Sequence, residues 1–312
     1  MFKSLKKILV ASAFLGVASS AVLADDINII VVSHGQANDP FWSVVKNGVS
    51  KAGEDMDVNV DYRAPETFDM VAMSQLIEAA INQEPDGLIV SIPDADALGD
   101  AIRKAVAAGI PVISMNSGSD VSKSLGALLH VGQDEFDAGK AAGEKLASLG
   151  GKKGICVNQE VGNVSLDQRC AGFTEGFGGN VSILPTSNEP SEIAAKVRAA
   201  IDSDDAIDTI LALGAATAGE PSLLAVEEAG KLDKINVGTF DMSPGFLQYI
   251  SEGKATFAID QQQFLQGYLP VSFLALNARF GLMPGGNVPS GPNLITKEKA
   301  AQVVDLSAIG IR

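Results

Sequence analysis

Near the start of the chain, Asn38-Asp39-Pro40-Phe41-Trp42 sets an amide, a carboxylate and the only Trp of the 312 residues directly after a short apolar run at 27–33. These residue types suit binding. An aromatic ring offers a flat apolar face, and a carboxylate accepts charge-assisted hydrogen bonds from a ligand. Reactive patterns are missing from the sequence. No phosphate-binding Gly-x-x-x-x-Gly-Lys motif occurs, and no Gly-x-Gly-x-x-Gly follows the first apolar run. No Ser or Cys is set in a nucleophile elbow. Asp202-Ser203-Asp204-Asp205 lacks the spacing and the Gly of a calcium loop and reads as a solvated helix end. His34 and His130 are far apart and no Cys-x-x-Cys accompanies them, so no metal site is expected. Asp39 and Asp241 could in principle flank a glycosidic bond, but without a further acid/base signature an enzyme is not expected, and no cofactor is implied.

Holding such a site requires elements that end at a common rim. From residue 27 the sequence alternates between short apolar runs and longer segments of helical spacing. The runs lie at 27–33, 58–62, 87–91, 111–114, 127–131, 154–157, 181–184, 209–213, 235–239 and 256–259. Between them Met70, Met73, Ile77 and Ile81 form one helical stripe, Ile102, Val106 and Ile110 part of another, and Ile193, Val197 and Ile201 a third. Apolar strands alternating with amphipathic helices predict an α/β fold of parallel sheets covered on both faces. Asp94 and Asp134 stand where helix N-caps belong. Gly109-Ile110-Pro111 stops a helix and starts a strand, and Asp241-Met242-Ser243-Pro244 ends a strand and starts a helix. The breaker-rich stretch 284–292 reads as an exposed connection. The units before residue 130 are echoed after it, which predicts two similar lobes.

The N-terminus carries Lys3, Lys6 and Lys7, an apolar run at 8–17, and small residues up to Val22-Leu23-Ala24. That layout is a secretory signal peptide, and its run is too short for the ~20 residues that span a bilayer. The expected cut near Ala24 releases a soluble periplasmic chain starting near Asp25. The net charge is −15, and loss of the three leader lysines leaves −18. So acidic a surface repels phosphate backbones, which makes nucleic acid and anionic membrane poor candidates as partners. Cys156 and Cys170 are the only cysteines, and an even count in an exported chain suggests a disulfide, with two free buried thiols as the alternative.

The order of the motifs carries a likeness. Asn38-Asp39-Pro40-Phe41-Trp42 is followed by Glu84-Pro85-Asp86-Gly87, Ala108-Gly109-Ile110-Pro111, Val131-Gly132-Gln133-Asp134, Val237-Gly238-Thr239-Phe240-Asp241 and Ile259-Asp260-Gln261-Gln262. Over nearly the whole mature chain this order resembles the ribose-binding-protein type of periplasmic sugar-binding proteins, the substrate-binding components of ABC importers. The resemblance implies two Rossmann-like lobes joined by a three-segment hinge, with crossings near Gln133, Gln261 and Pro292. The N-terminal lobe would be 25–132 plus 262–290, and the C-terminal lobe 133–261 plus 291–312. It implies a monomer that closes on a monosaccharide or polyol and docks on an ABC permease in the inner membrane. A receptor for a sugar-like signal, an autoinducer or chemoattractant read by a chemoreceptor, would share the fold.

The resemblance also assigns ligand contacts. Asp39 and Trp42 match positions that hydrogen-bond to and stack on the sugar, and Phe41 a neighbouring aromatic. Asn116 stands where the family often has Asp, followed by Ser117 in place of an Arg. Asp241 matches the second-lobe carboxylate, Gln261 a hinge residue that touches ligand, and Gln133 a hinge position with a looser claim. In the segment 159–170 the family's Arg position falls on Asp167, with Arg169 two residues later and Asn163 just before, so that either Asp167 or Arg169 would face the cleft. Residues 187–191 lack the second aromatic of some pentose binders, and Glu66 is a further candidate contact.

Overall fold

The computed structural model describes residues 26–35 and 39–312. The expected leader at 1–24 and Asn38 lie outside the described residues. In chain order the first half comprises β1 (Asn28–Val32), α1 (Pro40–Met56), β2 (Asn59–Arg63), α2 (Met70–Ile81), β3 (Gly87–Val90), α3 (Ala95–Ala107), β4 (Val112–Met115) and β5 (His130–Gly132). Then come α4 (Glu135–Ser148), β6 (Gly154–Asn158), α5 (Val164–Phe177), β7 (Val181–Pro185), α6 (Pro190–Ser203) and β8 (Thr209–Ala212). The chain ends with α7 (Glu220–Glu228), β9 (Asn236–Phe240), α8 (Pro244–Glu252), β10 (Phe257–Asp260), α9 (Gln263–Phe280), β11 (Val288–Pro289), β12 (Asn293–Ile295) and α10 (Lys297–Ala308). No helix among the described residues is long and apolar enough to cross a membrane.

The strands form two six-stranded sheets, ordered β11-β5-β4-β3-β1-β2 and β12-β10-β9-β8-β6-β7. All pairs are parallel except β10 with β12. Alternation along a strand divides its side chains between two cores. In β1, Ile29 and Val31 pack with Val45 and Val49 of α1 and Leu274 of α9, while Ile30 and Val32 pack with Met73 and Ile77 of α2 and Ile102 of α3. The second sheet repeats this. Phe173 of α5 and Ala142 of α4 cover one face, and the fully buried stripe Ile193, Val197 and Ile201 of α6 lies on the other with Phe246 of α8. Asp94 and Asp134 cap α3 and α4 as expected, each accepting a backbone N–H from the first helical turn.

The chain passes between the sheets at three places, from β5 to α4, from β10 to α9 and from β11 to β12. The last passage corrects the sequence reading. Residues 284–292 are not simply an exposed connection, because Val288 and Pro289 pair with Val131 and Gly132 and Ser290 is buried, donating its N–H to the Gly132 carbonyl at 2.9 Å. A two-residue strand at a sheet edge has no alternation to detect and tolerates Pro, whose missing donor is no loss there.

Helices α4 and α5 approach closely on small residues. A Cβ on Gly139 would stand 2.2 Å from the Arg169 carbonyl oxygen, so the glycine allows α5 to sit where it does. The Cys156–Cys170 disulfide, with Cα atoms 5.8 Å apart, then ties α5 to β6. The bridge expected from the cysteine count is therefore present.

Candidate functional site

Both sheets point the carboxyl ends of their strands at one cleft, the place where open parallel sheets hold ligands. The N-terminal side contributes His34 after β1, Asp39 to Trp42 at the start of α1, and Asn116 after β4. The C-terminal side contributes Gln159 and Glu160 after β6, Asn163 and Arg169 of α5, the turn 213–217 after β8, and Asp241 after β9. Gln261 closes the hinge end. The lobes touch across the rim. Val164 donates its N–H to the Pro93 carbonyl at 3.0 Å, and Gln168 Nε2 stands 3.4 Å from Asp120 Oδ2.

Asp39 is the N-cap of α1, accepting the Phe41 N–H at 2.8 Å, and also lines the cleft. Burial pushes its carboxyl up to about 7, and the facing Glu160 adds to the rise. Trp42 is buried edge-on to His34, with ring centres 4.7 Å apart, and Phe41 packs against it at 5.1 Å. Gly35 makes room for this ring, since a Cβ there would lie 2.0 Å from Trp42 Cγ. Phe41 is partly buried and also lines the cleft.

Asn116 and Asp241 meet through Gln261. Asn116 Nδ2 lies 3.2 Å from Gln266 Oε1 and 3.4 Å from Gln261 Oε1, and Gln261 Nε2 donates to Asp241 Oδ1. Asp241 does not cap α8, a role taken by Ser243. Burial pushes the Asp241 carboxyl up to about 7, and Arg169 and the Gln261 amide offset only part of the rise.

The segment 159–170 divides cleanly. Arg169 is buried at the floor, its Nε and Nη2 donating to Glu135 at 2.6 and 3.0 Å, its Nη1 to the Leu213 carbonyl at 3.2 Å, and its guanidinium 4.4 Å from the Phe240 ring centre. Asn163 caps α5, donates to Glu160 Oε2 at 2.7 Å and faces His34 Nε2 at 3.4 Å. Asp167 does not reach the cleft. It is exposed and accepts from Asn158 Nδ2 at 3.0 Å, because two residues along a helix turn a side chain about 200° away from Arg169. Gln133 also stays outside. Its Nε2 donates to Glu135 Oε2 at 2.9 Å, so it touches the site only through Glu135 and Arg169. Glu66 is exposed and outside the cleft lining.

Residues that sequence reasoning missed complete the walls. Glu160 is buried, and burial raises its carboxyl above the usual range. Gln159 is buried beside it. His34 accepts or donates at Ser91 Oγ through Nδ1 at 2.8 Å, and burial, then Arg169, push its imidazole down to about 3, so it is neutral. All three directly follow or lie near a strand's carboxyl end, a positional signal that the sequence offered. Among the described residues no group of His, Cys, Asp and Glu is placed to hold a metal ion.

Two lobes, three connections and one polar cleft at the strand ends define a receptor that holds a small molecule between its domains. Residues 29–281 match the family model described as the periplasmic binding protein domain, and the chain belongs to this family, whose members are solute-binding proteins. It is 34% identical, with a TM-score of 0.87, to a carbohydrate transporter from Acidothermus cellulolyticus solved in complex with myo-inositol, covering 92% of this chain and 100% of that one. It is 25% identical over 257 residues to the xylose/arabinose-binding protein of Sulfolobus acidocaldarius, 78% of this chain and 64% of that protein, just under two thirds of its length. It is 24% identical over 277 residues to the ribose import binding protein of Escherichia coli, covering 83% and 87%.

Proposed function

We propose that this protein is the periplasmic substrate-binding component of an ABC importer for a monosaccharide or related polyol. One observation carries the reading: Asp39 and Trp42 from one lobe, and Asp241, Glu160 and Asn163 from the other, line the same cleft beside Gln261. The sugar-binding relatives and the inositol-bound neighbour support it. Trp42 and Phe41 stack on the C–H face of the ring, while Asp39 and Asp241 accept from its hydroxyls. Asn116, Asn163 and Gln261 orient the remaining hydroxyls. Asp167 and Gln133 take no part in direct contact.

Lobes 25–132 plus 262–290 and 133–261 plus 291–312 swing about the three crossings. Ligand favours the closed state through the contacts that only closure completes. The exported chain, cut near Ala24, acts as a monomer and presents its closed form to the permease. Isothermal calorimetry with pentoses, hexoses, polyols and inositols tests the reading. Binding tighter than ~100 μM to at least one is the expected result, and its absence throughout the panel overturns the proposal.

A further inference from the structure

The charges of the cleft do not balance. Asp39, Glu160 and Asp241 line it, and the single guanidinium, Arg169, is spent on Glu135 through two donors and on the Leu213 carbonyl through a third. An independent observation points the same way. Gln159 is 8% exposed and lines the cleft, yet its Oε1 is buried with no partner among the described residues. The walls therefore present negative charge in excess of positive charge, and one acceptor without a donor. A buried acceptor without a donor, and three cleft carboxylates that share one guanidinium already paired with Glu135, are costly until something in the cleft supplies both a donor and positive charge.

Hydroxyl groups supply donors but no charge. An ammonium group supplies three donors and one positive charge at a single atom. Resting on the sugar or polyol reading above, we infer that the cleft selects an ammonium-bearing polyol, an amino sugar or aminocyclitol, over the neutral parent of the same shape. The ammonium sits between Asp39 and Glu160, which face each other from opposite lobes, so it also cements closure. The rise of the Asp39 and Asp241 carboxyls to about 7 fits a cleft that lacks a counter-charge. An added carboxylate or phosphate on the ligand has no free cation to meet and is rejected.

Calorimetry on the mature chain at pH 7.5 with matched sets tests this: D-glucose, D-glucosamine and D-glucuronate, the corresponding galactose set, and myo-inositol with an amino-deoxy-inositol. In at least one set the amine is expected to bind roughly tenfold or more tightly than its neutral parent, with the acid undetectable. The amine-to-neutral ratio falls in Glu160→Gln and in Asp39→Asn, two variants on different lobes. An amine that binds where its parent does not also supports the inference. If a neutral sugar or inositol binds and no amine surpasses its parent, the inference falls while the transport reading stands. If no sugar, amine or polyol binds, both fall.

Discussion

Asn116 and Asp241 occupy matching places in the two lobes, each directly after the last residue of a strand facing the cleft, β4 and β9, and each in the left-handed backbone region, with φ of 63° and 65°. Asn and Asp are the side-chain-bearing residues that tolerate this region best, because their short polar groups bond locally. The left-handed turn aims both side chains at Gln261, where the lobes meet. Backbone strain placed at a ligand site is an expected use of such conformations.

This match separates charge from geometry at Asp241. Asp241→Asn keeps a residue suited to the left-handed turn and removes a carboxylate. Ligand affinity is expected to fall by about 1.5–3 kcal/mol, roughly ten- to hundredfold, as for loss of a charge-assisted hydrogen bond. Unfolding stability at pH 8 should hold or rise, since a carboxyl that burial pushes up to about 7 costs stability when ionised. Asp241→Ala loses both the turn preference and the acceptor, and should lower affinity and stability together. Calorimetry paired with urea unfolding distinguishes them.

The empty protein should gain stability as pH falls from 8 to 6.5. Asp39 and Asp241 have folded-state values near 7, above their unfolded value of 3.8, so their stabilisation is full below about 4 and is lost as pH rises through 7. Asp39 faces Glu160, and Asp241 faces Arg169, Asp39 and Glu135. His34, facing Arg169 and held down to about 3, and His130, held down to about 4 by burial, act in the opposite sense, beginning as the unfolded imidazoles take up protons around 6.5. Between 8 and 6.5 the two histidines offset part of what the two carboxyls contribute, and a net gain of about 1 kcal/mol is expected. Urea midpoints at the two pH values measure it. An Asp39→Asn, Asp241→Asn double variant should flatten the change, and a wild-type midpoint that does not move would refute the account.

The fold was legible because its signals are local and periodic. The apolar runs became β1 to β10 in order, and the Ile193, Val197 and Ile201 stripe is fully buried. The edge strand at Val288–Pro289 was not, since its pairing with β5 is set by a partner about 157 residues away and leaves no alternation. The site was half legible. Strand-end position marked Asp39, Trp42, Asn116 and Asp241, but the choice between Asp167 and Arg169 depends on which face of α5 meets the sheet. That face is set by Gly139 opposite the Arg169 carbonyl and by the disulfide, neither of which the motif order encodes.

The disulfide should carry measurable stability. Cys156 and Cys170 are 14 residues apart, and closing a loop of that size removes enough unfolded-chain freedom for about 3 kcal/mol. The Cys156→Ser, Cys170→Ser double variant is therefore expected to unfold at lower urea concentration with an unchanged fold by circular dichroism. Ligand affinity should also fall, because α5 carries Arg169 and is capped by Asn163. Equal urea midpoints for oxidised wild type and the variant would contradict it.

Glu135 is the residue on which the proposed charge selectivity turns. It is 2% exposed, pairs with Arg169 through both carboxylate oxygens, and holds the guanidinium away from ligand. Glu135→Gln keeps the shape and removes the counter-charge, leaving a buried cation short of compensation at a cost of about 3 kcal/mol or more in stability. The same change gives the cleft a free positive charge at its floor. Urea unfolding should show the loss, and calorimetry with glucuronate and galacturonate should show binding that wild type lacks, while any preference for an amine over its neutral parent shrinks. Retained wild-type stability would mean that the ion pair is not the main partner of Arg169. Stability lost without any change in charge preference would mean that Arg169 is only a structural strut under the cleft.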